Sequence, residues 1–323
     1  MAMDKLHLYS FVLVAAAMAA HGAHAADSFP DRPIRILQGF SAGGISDTLA
    51  RLVGDQMQRT LGQPIIVETR PGGGGIVAMT AVTGATPDGH TLLLGNSAIT
   101  ISPNRREKLP FDPMKAFIPV SMIGTSPSVL VANPAFGPKS VPELITYAKS
   151  HKGKVDCATS GVGTSNDLAV HLMNTMSAIS LTPVRYKGSG PSLTAAVANE
   201  TPLSFAPLLA AIPHVKQGRL RALGMSSAKR NPALPDVPAI SESIPGYEAV
   251  GFYSIVAPRG VPAARVKKLH DAINAALGIP EVRKRMESYG VDVTVMTREQ
   301  FADFMRKDAE KWKKLVHDAQ LAL

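Results

Sequence analysis

The stretch FPDRPIRILQGFSAGGISD, residues 29–47, joins the pattern of a buried strand to a glycine-rich loop and then to the start of a helix. Apolar residues within 34–37 predict the strand, Gly43 and Gly44 allow a tight turn, and Ser46 predicts a helix N-cap. The first amides of a helix have no intrahelical partners and lie at the positive end of its dipole. The stretch therefore predicts an anion-binding loop, with a plain strand-to-helix turn as the alternative.

Residues 1–26 have the pattern of a secretory signal peptide. Lys5 lies in a short polar start, residues 11–20 form an apolar run, and Ala23-His24-Ala25 is a small-x-small cleavage site. A membrane anchor is the alternative, but spanning a bilayer takes roughly 20 apolar residues. We therefore expect an exported chain that is cleaved near Ala25 or Ala26 and has no later membrane span.

The length of the chain and its single cysteine bound the fold. Removing the predicted signal peptide from 323 residues leaves a chain of a size that usually forms two domains. The one cysteine, Cys157, lies in the apolar pattern VDCAT. This pattern predicts a buried strand position, with an intermolecular disulfide as the alternative.

The formal net charge of +9 does not by itself indicate a nucleic-acid-binding protein. Much of the excess lies in helical segments such as 282–287 and 306–314, where acidic residues are interleaved with basic ones. This arrangement is typical of solvated helix faces, and no nucleic-acid-binding motif accompanies it. We therefore expect no nucleic acid partner.

Short apolar runs alternate with helical patterns along the chain, which predicts an α/β protein with mostly parallel sheets. The first helix has apolar residues at helical spacing up to Leu61 and is predicted to end at Gly62. Ser140-Val141-Pro142-Glu143 is a capping box that opens another helix. Further strands are predicted at about 64–68, 90–94, 155–159, 182–186, 203–206, 220–225 and 252–256.

Signatures of common enzymes are missing from the sequence. There is no H-E-x-x-H, C-x-x-C, complete P-loop or G-x-S-x-G. Residues 226–229 fit S-x-x-K, but the accompanying β-lactamase motifs are absent, so a chance match is expected. RPGGGG at 70–75 lacks the Lys-Ser/Thr ending of a phosphate loop and predicts a turn that lets a strand and a helix approach closely. We expect neither catalysis nor a bound metal or cofactor.

Four loops remain as candidates for binding a ligand: 40–47, 96–98, 160–167 and 186–191. We expect them at the carboxyl ends of strands, where open α/β sheets bind ligands. The first and third would then form two anion-binding loops that face each other across a cleft, and the fourth would add an aromatic wall and a cation. Ordinary turns, a capped helix and a solvated lysine are the alternatives. The candidate residues are Phe40, Ala42, Gly43, Ser46, Asp47, Ser97, Ala98, Ser160, Gly161, Gly163, Thr164, Ser165, Asp167, Tyr186, Lys187 and Gly188.

Motifs along nearly the whole predicted mature chain resemble those of Bug-type, TctC-like receptors of tripartite tricarboxylate transporters. After residues 29–47 these motifs include LGQPIIVETRPGGGG (61–75), PDGHTLLLGN (87–96), VRYKGSGPSLTA (184–195) and SSAKRNPALPDVPAISE (226–242). The resemblance implies a two-lobed periplasmic binding protein of type II, the Venus flytrap fold, acting as a monomer without a cofactor. Lobe one is expected at 27–127 plus 251–323, and lobe two at 128–250.

The resemblance also implies a function. Such a receptor binds a small organic carboxylate between its lobes in the periplasm and presents it to membrane permease subunits. The alternative is a ligand sensor that signals through a membrane sensor kinase. The sequence does not separate the two, because the docking surface carries no recognisable motif.

Two positions depart from the family pattern. Asp167 stands where relatives often have histidine, and Ala206 stands where they often have an acid. If Asp167 points into the cleft, it repels a second carboxylate there; the alternative is that it stabilises the first turn of a helix. Ala206 makes its wall apolar. These departures suggest a ligand with one well-held carboxylate and an apolar or aromatic body, ahead of citrate-like tricarboxylates.

Overall fold

The structure, a computed structural model, describes residues 28–104 and 109–318, so the predicted signal peptide lies outside the described residues. Strands and helices alternate along most of the chain, as predicted. The strands are β1 (Ile34–Gln38), β2 (Ile65–Thr69), β3 (Thr91–Asn96), β4 (Phe117–Ala132), β5 (Val155–Thr159), β6 (Leu181–Arg185), β7 (Leu203–Pro207), β8 (Arg221–Met225), β9 (Val250–Pro258) and β10 (Asp292–Val293). The helices are α1 (Ile45–Leu61), α2 (Ile76–Thr83), α3 (Ala98–Ile101), α4 (Pro113–Ala116), α5 (Val141–Ser150), α6 (Ser165–Ser177), α7 (Ser189–Val197), α8 (Leu208–Lys216), α9 (Ala263–Gly278), α10 (Pro280–Ser288) and α11 (Arg298–Asp318).

Two sets of strands meet on the long strand β4. In the first set β1 pairs in parallel with β2 and β3, and in the second β5 pairs in parallel with β6 and β7. Residues 117–127 of β4 pair antiparallel with β9, whereas residues 128–132 pair antiparallel with β7 and most of them also with β8. The result is the two-lobed α/β fold that was predicted, and β4 changes partners at 127/128. The full lobe boundaries stay a prediction.

The strand β4 was not predicted from the sequence, although the sheets depend on it. Pro119, Gly124 and Pro127 interrupt its apolar run, and proline within such a run argues against a strand. The register of its pairing with β9 shifts near Pro119 and again near Gly124, so bulges absorb the irregular positions. A β-carbon at Gly124 would lie 2.4 Å from the carbonyl oxygen of Asp292, so glycine is needed where β10 approaches.

Helix α11 packs against both halves of the molecule. Phe301 is buried beside Phe252 in a cluster that covers the first set of strands. Trp312, about three turns further along the helix, is fully buried in the cluster around the second set. Between them the carboxylate of Asp308 accepts hydrogen bonds from Thr100 Oγ1 at 2.6 Å and Trp312 Nε1 at 3.0 Å. This part of the chain was expected within lobe one alone, yet its end packs on the core of the other half.

Several local predictions are confirmed. Helix α1 ends at Gly62, which adopts a left-handed φ of 72° and donates its N–H to Gln58 O. Ser140 caps α5 by accepting from the Glu143 N–H, as its capping-box motif predicts. Among the residues the structure describes, no helix is long and apolar enough to cross a bilayer.

The predicted buried position of Cys157 is also confirmed. The side chain lies on β5, fully buried in the core of the second half. Burial raises the pKa of its thiol to about 12. Because the thiolate is the reactive form, the folded protein should protect this cysteine.

We therefore predict that Cys157 resists 5,5′-dithiobis(2-nitrobenzoate) at pH 8 in the folded protein. Absorbance of the released thiolate should appear only on adding guanidinium chloride, and it should then correspond to the single cysteine of the chain. Rapid labelling without denaturant would show that this strand is exposed.

Candidate functional site

A small cavity, here called the central cavity, lies between the two halves of the molecule. The space open to the centres of water molecules is about 30 Å³. Its walls contain serine, threonine, asparagine, glycine, proline, isoleucine and aromatic side chains, and none of them bears a formal charge. The lining residues are Phe40, Gly44, Ile45, Ser46, Asn96, Ser97, Ser160, Thr164, Ser165, Asn166, Ser189, Pro207, Gly251, Phe252 and Tyr253.

The N-terminus of α1 forms part of the wall. Gly44 is the N-cap, because its carbonyl accepts from the Thr48 N–H at 3.0 Å while its own backbone is extended. The prediction that Ser46 is the N-cap is therefore wrong by two positions. No side chain in the described ranges caps this end, so the first-turn amides beside Ser46 stay available to a ligand.

Two further helix N-termini complete the wall on the opposite side. Thr164 caps α6 by accepting from the Asp167 N–H at 3.3 Å, which leaves the amides of Ser165 and Asn166 without intrahelical partners. Helix α7 begins at Ser189 with no side-chain cap. The positive ends of three helix dipoles thus meet at one cavity, and this arrangement favours an anion.

Two aspartates hold the flanking glycine loops in matching ways. The Gly43 N–H donates to Asp47 Oδ2 at 3.0 Å, and the Gly163 N–H donates to Asp167 Oδ2 at 3.2 Å. Each acid also forms an ion pair with an arginine. Arg51 Nη2 lies 3.0 Å from Asp47 Oδ1, and Arg185 Nε lies 2.9 Å from Asp167 Oδ1. Neither acid lines the central cavity, so both shape the loops without facing a ligand.

The alternative in which Asp167 points into the cleft is wrong. Its carboxylate is fully buried and also accepts from Thr159 Oγ1 at 3.3 Å, while Arg185 lies against it. Arg185 Nη2 in turn lies 3.3 Å from His171 Nε2, and burial lowers the pKa of that histidine, so a neutral ring can accept the bond. Ala206 does not form a wall of the cleft either, because it is buried in the core beside β4.

Ser160 is the lining residue that most directly indicates a binding site. Its side chain is only 5% exposed, and among the described residues its Oγ has no hydrogen-bond partner. By contrast, Ser97 Oγ, on the other side of the cavity, accepts from the Phe252 N–H at 3.0 Å. A buried hydroxyl without a partner is unfavourable, so a ligand atom is its expected acceptor.

Two larger cavities adjoin the central one. The rim cavity, about 140 Å³ in the same measure, shares Phe40 and Ser160 with it and is completed by Gly39, Gly72, Gly73, Gly74, Gly161, Val162, Arg185, Tyr186 and Lys187. The apolar cavity, about 410 Å³, shares Gly44 and Ser189 with it and is completed by Ala42, Gly43, Thr48, Gly190, Leu193, Leu209, Ala210, Pro213, His214 and Tyr289.

The predicted residues separate into three groups around these cavities. Six line the central cavity: Phe40, Ser46, Ser97, Ser160, Thr164 and Ser165. Five line a neighbouring cavity: Ala42, Gly43, Gly161, Tyr186 and Lys187. Six line none of the three: Asp47, Ala98, Gly163, Asp167, Gly188 and Ala206.

Sequence reasoning missed the contribution of β9 to the central cavity. Gly251, Phe252 and Tyr253 lie in a strand that was predicted without any role in the site. The glycine was the available signal, because a β-carbon there would lie 2.6 Å from Ser165 Oγ. Pro207 was also missed. Five further lining residues lie within the four candidate loops but were not named among the candidate residues: Gly44, Ile45, Asn96, Asn166 and Ser189.

The comparisons with known proteins agree with this architecture. The model of the family described as "Tripartite tricarboxylate transporter family receptor" matches residues 49–321. The chain belongs to this receptor family. It is 30% identical to Protein BugT of Bordetella pertussis over 296 residues, 91% of each chain, which supports the Bug-type resemblance.

Solved structures of similar proteins share the two-lobed fold of this TctC-family receptor. Rpa4515 of R. palustris, solved with adipate, is 28% identical with a TM-score of 0.87, covering 90% of this chain and 98% of that one. MatC of Rhodopseudomonas palustris, solved with bound malate, is 32% identical with a TM-score of 0.83, covering 89% of this chain and all of the other.

Glycines let the two halves of the receptor touch beside the site. A β-carbon at Gly39 would lie 2.5 Å from Gly75 Cα, so the turn at 70–75 brings the end of β1 against the start of α2, as predicted. The same turn reaches the opposite half, because a β-carbon at Gly74 would lie 2.1 Å from Val162 O. A side chain at Gly74 would therefore hold the halves apart.

We predict that Gly74→Ala weakens ligand binding by about tenfold or more in calorimetry, because the closed form becomes a minor state. Gly153→Ala is the matched control, since Gly153 has a similar positive φ of 69° but no atom within 4 Å of the added carbon. Both variants should lose similar stability from backbone strain, and only Gly74→Ala should lose affinity. Equal affinities would contradict this role for the contact.

Proposed function

We propose that this receptor binds a small organic carboxylate at the central cavity and presents its closed form to the membrane permease subunits of a tripartite transporter. It would do so in the periplasm, as a monomer without metal or cofactor, after removal of residues 1–26. The observation that carries the proposal is a cavity whose described walls are uncharged and at which three helix N-termini meet the Ser160 hydroxyl, which has no hydrogen-bond partner within the described part of the chain.

Each feature of this cavity suits a carboxylate. Its oxygens accept hydrogen bonds from backbone amides and hydroxyls, and its charge is favoured by the positive ends of the helices. A cation would face the same helix ends unfavourably. The relatives solved with adipate and with malate support the same class of ligand.

Closure follows from where the donors lie. Ser46 belongs to the half that contains β1, whereas Ser160 and Ser165 belong to the half that contains β5. A carboxylate that contacts both sides would stabilise the closed form specifically, and a permease could then distinguish it from the open form.

The structure contradicts both grounds for the hypothesis of an aromatic monocarboxylate. That hypothesis used Asp167 as a repelling acid in the cleft and Ala206 as an apolar wall. Asp167 is instead paired with Arg185, and Ala206 is buried elsewhere. The choice among carboxylates therefore depends on the cavities that adjoin the central one.

We predict that thermal unfolding of the purified mature chain shifts upward with the right acid in a panel of mono-, di- and tricarboxylates. A ligand at 100 times its dissociation constant adds about 2.7 kcal/mol to the free energy of unfolding. The amides of the same acids are the controls, since they keep the shape and lose the charge. Calorimetry should give heat for the acid and none for its amide.

A folded protein, confirmed by circular dichroism, that shows neither a shift nor heat across the panel would contradict carboxylate binding. The transport step has its own test: cells that lack this receptor should lose uptake of the radiolabelled acid, and its gene should restore it. Unchanged uptake would leave a binding protein that does not deliver its ligand.

A further inference from the structure

The central cavity is too small for a whole organic acid. A cavity needs about 10–15 Å³ open to water centres to hold one water molecule. The central cavity offers about 30 Å³, which is enough for two or three groups of that size. That is room for one carboxylate group and little more. The rest of a bound acid must extend into the rim cavity or the apolar cavity.

The rim cavity offers a charge for a second acidic group. It contains two cations, of which Arg185 is already engaged by Asp167. Lys187 is exposed, and within residues 28–104 and 109–318 no hydrogen bond or ion pair involves its ammonium group. Beside it, burial raises the pKa of the Tyr186 phenol, with smaller contributions from Glu200 and Asp156, so that the phenol stays a donor.

The two cavities connect at the Ser160 hydroxyl, which no described residue partners. Ser160 lines both the central cavity and the rim cavity, and Phe40 lines both on the other side. A ligand that passes from one to the other therefore passes between an aromatic ring and a free donor. The carbon chain of an acid suits the ring, and its carboxylate suits the donor.

The apolar cavity lacks a matching charge. Its walls include Leu193, Leu209 and Pro213, and His214 is the one ionisable base among its described lining residues. Burial, with a smaller contribution from Arg219, lowers the pKa of His214, so the imidazole is neutral at pH 7. A second acidic group would gain no cation there, although an uncharged chain would fit.

We propose that Lys187 is a specificity-determining residue that holds the second acidic group of a ligand whose first carboxylate lies in the central cavity. The ligand class is then a chain with an acidic group at each end, and the chain passes Ser160. This inference rests on the proposed function and deepens it by naming which carboxylates the receptor prefers.

The test is calorimetry with matched acids on the mature protein. Succinate, adipate and suberate are each compared with the monocarboxylate of equal carbon number: butanoate, hexanoate and octanoate. The wild-type protein should bind at least one diacid about tenfold or more tightly than its partner, as expected for one charge-assisted hydrogen bond. Lys187→Met should abolish that preference and leave the monocarboxylates within about twofold of wild type.

Lys149→Met is the matched control, because Lys149 is an exposed lysine on α5 that lines none of the three cavities. It removes the same charge and should change neither kind of acid. If it weakens the diacids as much as Lys187→Met does, bulk attraction explains the effect and the inference fails.

Two other outcomes would also overturn the inference. Tighter binding of a monocarboxylate than of its diacid, unchanged in Lys187→Met, would place the ligand body in the apolar cavity while carboxylate binding itself stands. Binding of no acid at all by the folded wild-type protein would overturn the proposed function and this inference with it.

Discussion

The amides at the starts of three helices provide the positive potential of a cavity that contains no charged side chain. Fixed dipoles need no ordering when a ligand arrives, and they attract an anion without an ionic partner that must be desolvated. Every other feature of the site follows from holding these helix ends in place. The loops before them must turn tightly, keep their amides exposed and approach the opposite half.

Acidic residues near an anion site look unfavourable until their partners are considered. Asp47 and Asp167 each bind the amide of a glycine four residues earlier, and each is offset by an arginine. Each arginine offsets the negative charge of its aspartate, and neither aspartate lines the central cavity. The two halves thus use the same device, which explains why one loop sequence in each half combines glycines, hydroxyls and an aspartate.

Glycine has a second role, at the contact between the halves. Gly74 approaches Val162, and a β-carbon at Gly188 would lie 2.5 Å from Ser41 Oγ. Gly74 lines the rim cavity and Gly188 adjoins Ser189 of the central cavity, so both contacts lie beside the candidate site.

Local sequence signals predicted β1, α1 and the glycine loops, because each depends on residues a few positions apart. They failed for β4, whose prolines and glycine are tolerated only through bulges and long-range pairing. They also left open the orientation of Asp167, because its partner Arg185 comes from the neighbouring strand, 18 residues later. The contribution of β9 to the cavity arises from pairing between residues more than 100 positions apart.

The most direct measurement is a crystal structure of the mature protein with the tightest-binding acid of the panel. The account predicts that one carboxylate lies in the central cavity, with oxygens within hydrogen-bond distance of Ser160 Oγ and of first-turn amides at Ser46 or Ser165. No side-chain cation should contact that carboxylate. A ligand whose carboxylates are all held by charged side chains, with the helix N-termini facing only solvent, would contradict the account.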